Sequence, residues 1–545
     1  MAASGQPVAQ EGLVLAVDVG STSARAGVFD MHGRMLSTAS VPFDVHKPQP
    51  DQAEHDSEQI WSAVGLAVRS ALRDSGRAGH ELRGIAFDAT CSLVLLDAAG
   101  APVTVSSTGD DRWNVVMWAD HRAHHEAREI TATGHRVLDF VGGTMSPEMQ
   151  LPKLAWLKRH MPQAWSRYGL ALDLTDYLTW RATGVISASA CTLACKWTYL
   201  HHESPAWQDD LFGAIGLAGA REQLQVPASA NSVGSLAGGL SAPTALAWGV
   251  PQGIPVAVGL IDAHAGAVGV FGATPPEHMN RQIALIAGTS SCHMALSNER
   301  RQVPGVWGPY WGAVLPGWWL NEGGQSASGS LLDYVLASHA LGASLGDRAH
   351  DVIGAHILRR MAEVGPGYAS ELLVVPDFHG NRSPLARSDV RGVVHGLNLD
   401  SSLDALAKLY HATAVGIAYG TRHIIDTLNT SGYNITELHL TGGHAKSELL
   451  VRLYADATNC AIVLPREEDG VLLGTAVVAA AASGCYADFL AAGRAMVHTR
   501  SKVEPHPCTL GVHERGYRAF RRMLAQRQEI LDILAHDYSV QDSIS

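Results

Sequence analysis

Short apolar runs alternate with amphipathic stretches along this chain, and the runs show where strands fall. Leu13-Val-Leu-Ala-Val-Asp-Val19 is apolar apart from Asp18, which predicts a buried strand. Further runs predict strands at 25–30, 34–41, 83–88 and 92–97, and helical stretches fall at 56–75, 120–134 and 152–160. Asp56-Ser-Glu-Gln-Ile60 reads as a helix start, with Asp56 as cap and an acidic residue in the first turn. The stretch 256–271 reads as a strand that becomes a helix at Asp262. In the second half, strands are expected at 283–287, 292–297, 436–441 and 461–464, and helices at 326–340, 401–429, 446–458 and 471–483. The mixture is an α/β pattern in each half. The polar segment 272–281, with Pro275 and Pro276, predicts a boundary that divides the chain into 12–272 and 273–535. The polar tail 535–545 is expected to fray.

One pattern occurs twice. The run ending at Gly20 enters Ser21-Thr22-Ser23 and a new strand containing Arg25, and Ile283-Ala-Leu-Ile-Ala-Gly288 enters Thr289-Ser290-Ser291 and a strand at His293. A Gly-Ser/Thr turn between strands presents N–H groups and hydroxyls that suit phosphate oxygens. Two copies imply a duplicated fold with a nucleotide held between the halves. Only the first copy carries Asp18 and Arg25.

Composition narrows the setting. The 545 residues suffice for two sizeable domains, and 46% hydrophobic with 17% charged residues is a globular balance. A net charge of −12 disfavours a nucleic-acid partner. Seven scattered cysteines fit a reduced intracellular protein, and Cys191 and Cys195 read as two small buried side chains. The first twelve residues lack the basic and apolar regions of a signal peptide. The apolar stretch 471–482 is too short to span a bilayer, so a cytoplasmic protein without a membrane partner is expected. A homodimer is left open.

Seven segments taken together resemble the FGGY carbohydrate kinases of the actin/hexokinase-like ATPase superfamily. They are Asp18-Val-Gly-Ser-Thr-Ser-Ala-Arg25, Trp118-Ala-Asp120-His-Arg122, Lys153-Leu-Ala-Trp156, Gly259-Leu-Ile-Asp262-Ala-His-Ala-Gly266, Ala287-Gly-Thr-Ser290, and the pair Glu322-Gly-Gly-Gln with Leu440-Thr-Gly-Gly443-His-Ala-Lys-Ser447. Gln150 departs from the small or Pro residue of the family signature, at a position expected to touch no proposed site. Asp88-Ala-Thr-Cys-Ser-Leu-Val94 is similar to the D-ribulose kinase branch, as are Val303–Pro309 and Pro376–Pro384.

The resemblance implies two ribonuclease H-like, actin-type ATPase domains flanking a cleft, and ATP-dependent phosphorylation of a pentulose with Mg²⁺. D-ribulose is the expected sugar, with ribitol, L-ribulose and xylulose as alternatives of the same fold and a non-catalytic sugar-nucleotide sensor as a rival of another class. Asp262 is the implied base and a metal contact; from the residues alone it also reads as a helix cap. Asp18 is implied to hold Mg²⁺ through water, or else bonds its own turn. Gly20, Ser21, Thr22, Arg25, Gly288, Thr289 and Ser290 are the implied phosphate ligands, although Arg25 also reads as a solvated strand residue. Gly329, Gly442, Gly443 and Ser447 are implied at the adenosine. Asp88, Cys91, Asp120, Lys196, Asp262 and Glu322 are implied at the sugar, Cys91 being small enough to leave room for five carbons. Asp120 also reads as a helix cap. Thr90 and Ser92 offer hydroxyls beside Cys91. His121, His124 and His125 read as a solvated helix face, and His264 as a supporting or packing residue.

Overall fold

The computed structural model describes residues 12–541, with side chains as far as residue 534. Residues 1–11, where no signal peptide was read, lie outside the described residues. The chain forms two compact units. Unit 1 comprises the described residues through Asn280, Met294–Glu322 and Pro465–Arg500, and unit 2 comprises Arg281–His293, Gly323–Leu464 and the described residues from Ser501 onward. The first crossing falls at the end of the Pro-containing segment 272–281. The two later returns to unit 1 are made by packing, which loop composition does not mark.

In unit 1, the fully buried strand Leu13–Val19 pairs antiparallel with Ser23–Asp30 and parallel with Leu82–Ala89. The sheet order is Met35–Pro42, Ser23–Asp30, Leu13–Val19, Leu82–Ala89, Pro255–Ala257, Leu236–Gly239, and Leu260–Ile261 also pairs with Leu82–Ala89. The helix Ser57–Asp74 lies in the connection between the two parallel strands. It starts where expected, because Asp56 Oδ1 accepts the N–H groups of Glu58 at 2.8 Å and Gln59 at 3.0 Å.

The helix Gly470–Ala482 packs on this sheet and on the helix Asp262–Phe271. It is apolar nearly all round because both of its faces are covered. A Cβ at Gly474 would lie 1.8 Å from the Ala265 carbonyl oxygen, and one at Gly269 would lie 1.9 Å from that of Gly470. The two helices therefore meet backbone to backbone. Gly474→Val is expected to lower stability by the upper end of the ~1–3 kcal/mol typical of overpacking. A variant whose thermal midpoint equals the parent's would show that this contact does not hold the helices.

In unit 2, Gln282–Ala287, Glu437–Thr441 and Ala461–Pro465 run parallel. The helices Leu403–Thr430 and Glu448–Thr458 pack against one another, and Ser402 Oγ caps the first by accepting from Ala405 N at 3.2 Å. The helix expected at 326–340 is two helices, Gly329–Ala337 and Ala340–Leu345, because the His339 ring caps the second at Leu341 N. The helix expected at 120–134 is shorter, His124–Ala132. The tail expected to fray is helical in backbone to Gln541, in the helix Leu510–Gln541; 542–545 lie outside the described residues. No helix among the described residues is long and apolar enough to cross a membrane. All seven cysteines are free.

Candidate active site

Three carboxylates stand at the carboxyl ends of adjacent parallel strands in unit 1. Asp18 and Asp88 are register partners, Leu260 lies opposite Asp88, and Asp262 opens the helix that follows Ile261. Asp88 is fully buried; its Oδ2 accepts from the Thr475 hydroxyl, and its Oδ1 has no protein partner. Burial, then the Asp18 charge, pushes the Asp88 pKa well above the carboxylate range. Asp262 remains partly exposed, and its Oδ1 accepts from Ala263 N at 2.7 Å. Burial first and Asp18 second push its pKa up to about 6.

Arg25 faces Asp18 across the hairpin, with Nε to Oδ2 at 2.7 Å, and its Nη1 reaches Asp469 at 2.6 Å. Burial works against its charge, but the two carboxylates outweigh burial and raise its pKa. Asp469 also caps the helix Gly470–Ala482 through Leu472 N at 3.1 Å. Arg25 is thus a bridging cation, not a merely solvated strand residue. In the adjoining turn, Gly20 N donates to the Ser23 carbonyl at 3.0 Å, the Trp118 indole donates to Ser21 Oγ at 3.0 Å, and Thr22 is exposed.

A second polar cluster in unit 1 surrounds Lys196. The side chain is buried at the end of the helix Ala190–Lys196, with Nζ 4.6 Å from the centre of the Trp307 ring. Burial alone would lower its pKa; Cys91, Glu322 and Tyr310 outweigh it and hold the pKa above the ordinary value. Burial pushes the Cys91 thiol up to about 12. Glu322 is paired across strands with Trp307, and its Oε2 lies 3.2 Å from His264 Nε2. His264 Nδ1 lies 2.9 Å from Cys191 Sγ and 4.0 Å from Cys195 Sγ. Burial disfavours an imidazolium there, but the Cys191 sulfur and Glu322 carboxylate raise its pKa.

Several sequence expectations change at this point. Cys191 and Cys195 do more than fill space, since both sulfurs face His264. Gln150 does touch the site: its Nε2 donates to the Cys91 carbonyl at 3.3 Å and to Asp173 Oδ2 at 2.8 Å. Asp120 is fully buried, and its two oxygens accept from Ala53 N at 2.7 Å and from the Arg122 backbone and guanidinium. Arg122 also pairs with Glu54 at 2.7 Å. Asp120 is therefore committed to a buried ion cluster. Thr90 Oγ1 and Ser92 Oγ bond each other at 3.1 Å, and Ser92 Oγ also accepts from Trp118 N at 3.1 Å.

Sequence reasoning missed Asp469, Thr475, Trp307, Tyr310 and Lys153. Lys153 is fully buried and donates to the Met117 carbonyl at 3.1 Å. Its place in a quoted motif was the available signal. Trp307 likewise stands within the quoted Val303–Pro309 segment, whereas Asp469, Thr475 and Tyr310 lie far along the chain from their partners and carry none.

The second turn is built in unit 2. Gly288 N donates to the Ser290 carbonyl at 2.9 Å, while Gly329 N donates to the Gly288 carbonyl and Ser328 N to the Thr289 carbonyl, both at 3.0 Å. Gly288 and Thr289 stay exposed. Gly442 has φ +90°, and a Cβ there would lie 2.5 Å from the Ala287 carbonyl oxygen, so only glycine fits this approach to the turn. Ser447 caps the helix Glu448–Thr458 through Leu450 N at 3.3 Å. Gly288, Thr289, Gly329 and Gly442 thus share one region of unit 2, and the segment containing Gly443 and Ser447 continues from it.

Among the described residues, no three His, Cys, Asp or Glu side chains are arranged to hold a metal ion. The crowded carboxylates, of which Asp262 is shifted by burial and then by the Asp18 charge, nevertheless suit a hydrated Mg²⁺, which takes one or two carboxylates and completes its shell with water and phosphate.

Comparison with known proteins gives concordant matches. Residues 13–269 match the N-terminal domain, and residues 283–483 the C-terminal domain, of the FGGY family of carbohydrate kinases. A Danio rerio FGGY carbohydrate kinase domain-containing protein is 44% identical, over 95% of this chain and 98% of its own length. A D-ribulokinase of Saccharomyces cerevisiae is 34% identical, over 86% of this chain and 71% of its own. The crystal structure of a xylulose kinase from Rhodospirillum rubrum matches in fold, with a TM-score of 0.79 at 23% identity, covering 95% of this chain and 99% of that one.

Proposed function

We propose that this chain, which belongs to the FGGY family of carbohydrate kinases, transfers the γ-phosphoryl group of ATP to the 5-hydroxyl of D-ribulose. The kinase class comes with the family; the choice of sugar is carried by the identity to a D-ribulokinase.

Phosphoryl transfer asks the protein for positioning, charge stabilisation and a base. Asp262 is the base in this reading. It opens a helix at a strand end, is partly exposed, and is pushed up to about 6, close enough to neutrality to accept a hydroxyl proton as it is lost. Lys196 and Glu322 supply donor and acceptor to the sugar hydroxyls, and Cys91 bounds the space. His264 fixes the orientation of Glu322 through the 3.2 Å contact. Asp120 supports the pocket from its ion cluster, and Asp88 stands at the sugar side, its pKa raised by burial and by the Asp18 and Asp262 charges. In unit 1, Gly20, Ser21, Thr22 and Arg25 serve phosphate oxygens. In unit 2, Gly288, Thr289 and Ser290 do the same, and Gly329, Gly442, Gly443 and Ser447 receive the adenosine. Mg²⁺ would be held by Asp18 through water and by Asp262, where it would neutralise phosphate charge. Seven free cysteines support a cytoplasmic location.

The test is kcat/KM by coupled ADP release for D-ribulose, L-ribulose, D-xylulose, ribitol and glycerol. D-ribulose is expected to lead by at least about tenfold, because a site with buried polar groups rejects sugars that leave those groups unpaired. If any of the other four exceeds D-ribulose by tenfold, the sugar assignment fails while the kinase assignment stands. No turnover with any sugar would favour a non-catalytic sensor.

A further inference from the structure

Unit 2 contains a cavity of about 310 Å³ that shares no residue with the phosphate turn or with Gly442–Ser447. The helices Ala349–Val364, Leu403–Thr430, Glu448–Thr458 and Leu510–Gln541 contribute its walls, together with the segment 366–373. The lining is mostly aliphatic, with Leu372, Val415, Leu453 and Val512 among its members, and it contains no acidic side chain.

Two nitrogen-bearing side chains of this wall, His411 and Arg515, have no hydrogen-bond or ion-pair partner among the described residues. His411 is 7% exposed, and neither of its ring nitrogens has a hydrogen-bond partner. Among the described residues its only ring contact is an edge-on approach to Tyr368, centroids 5.6 Å apart. Buried polar groups are nearly always bonded, so an orphaned imidazole on a cavity wall marks a place for a ligand atom. The neighbouring His513 is different, because its Nδ1 already faces the Tyr419 hydroxyl at 3.1 Å. Arg515 is exposed in the same lining and forms no ion pair among the described residues.

We propose that this cavity binds a small planar aromatic carboxylate. The ring lies among the aliphatic side chains and Tyr368, a ring hydroxyl or N–H meets His411, and the carboxylate meets Arg515. A neutral imidazole can donate from one nitrogen and accept at the other, so it suits a phenol or an indole. The guanidinium fork suits a carboxylate. The volume is at the small end of ligand pockets, which selects one or two fused rings.

Full-length protein titrated with 4-hydroxybenzoate, 4-hydroxyphenylacetate and indole-3-acetate tests this, by saturation-transfer NMR and calorimetry. At least one probe is expected to bind saturably with one-to-one stoichiometry. His411→Phe and Arg515→Gln are each expected to weaken that binding at least tenfold. Arg515 is exposed, so its variant reports on binding even if the His411 variant fails to fold. Absence of saturable binding by all three probes overturns the proposal, as does unchanged affinity in the Arg515 variant.

Discussion

Asp262→Asn is expected to lower kcat about 10²–10⁴-fold, the range for loss of a positioned base, while ATP affinity stays near that of the parent. The amide keeps the size of the carboxylate and can still accept from Ala263 N, which lies 2.7 Å from Oδ1 in the parent. It cannot take up the hydroxyl proton. The same residue sets a pH dependence. The base works ionised, and its pKa is pushed up to about 6 by burial and by Asp18. In the parent, kcat/KM should be level above about pH 6 and fall about tenfold per unit below it. Single-turnover and steady-state rates across pH 5–8, with ATP binding by calorimetry, provide the check. A variant that kept near-parent kcat would move the role of base to another residue.

Lys196→Met is expected to lower kcat/KM for the sugar about 10²–10³-fold. The ammonium is buried among Glu322, Cys91 and Tyr310 and lies over Trp307. Removing one preorganised buried donor costs about 2.7–4 kcal/mol of transition-state stabilisation. Each 1.36 kcal/mol in the transition state is a tenfold change in rate. Methionine keeps most of the length and apolar stem, so the side chain still fills its space. Nucleotide affinity should hold, because the groups around Lys196 are Glu322, Cys91, Tyr310 and Trp307 and none belongs to either Gly-Ser/Thr turn. Kinetics and ATP calorimetry on the folded variant decide this; near-parent kcat/KM would remove Lys196 from the sugar pocket.

Much of the local structure was legible in the sequence. Leu13–Val19 reads as a strand because seven residues in a row, all but Asp18 apolar, are buried on both faces. The helix at Ser57 reads from Asp56, whose carboxylate caps it. The change from strand to helix at Asp262 reads from an apolar run that ends in an acid followed by small helix formers. The two turns Gly20–Ser23 and Gly288–Ser291 read from glycine and hydroxyl residues placed between strands. These are short-range effects, decided by backbone hydrogen bonding and side-chain period within a few residues.

Tertiary structure alone decided which of the polar residues are spent on the fold. Asp120 and Lys196 look alike in sequence, each a charge inside a quoted motif. Arg122 and Ala53 take up the Asp120 oxygens, whereas Lys196 is set among Glu322, Tyr310 and Trp307. The partnerships of Asp88 with Thr475, Arg25 with Asp469, and His264 with Glu322 join residues 387, 444 and 58 positions apart. Such contacts are set by sheet register and by the glycine-mediated approach of two helices, neither of which leaves a periodic trace in the chain. The sequence determined the strand ends and turns that can carry a phosphate-transfer site. Packing determined which carboxylate stays partly exposed and which are buried against a partner, because burial and neighbouring charge exist only once the chain has folded.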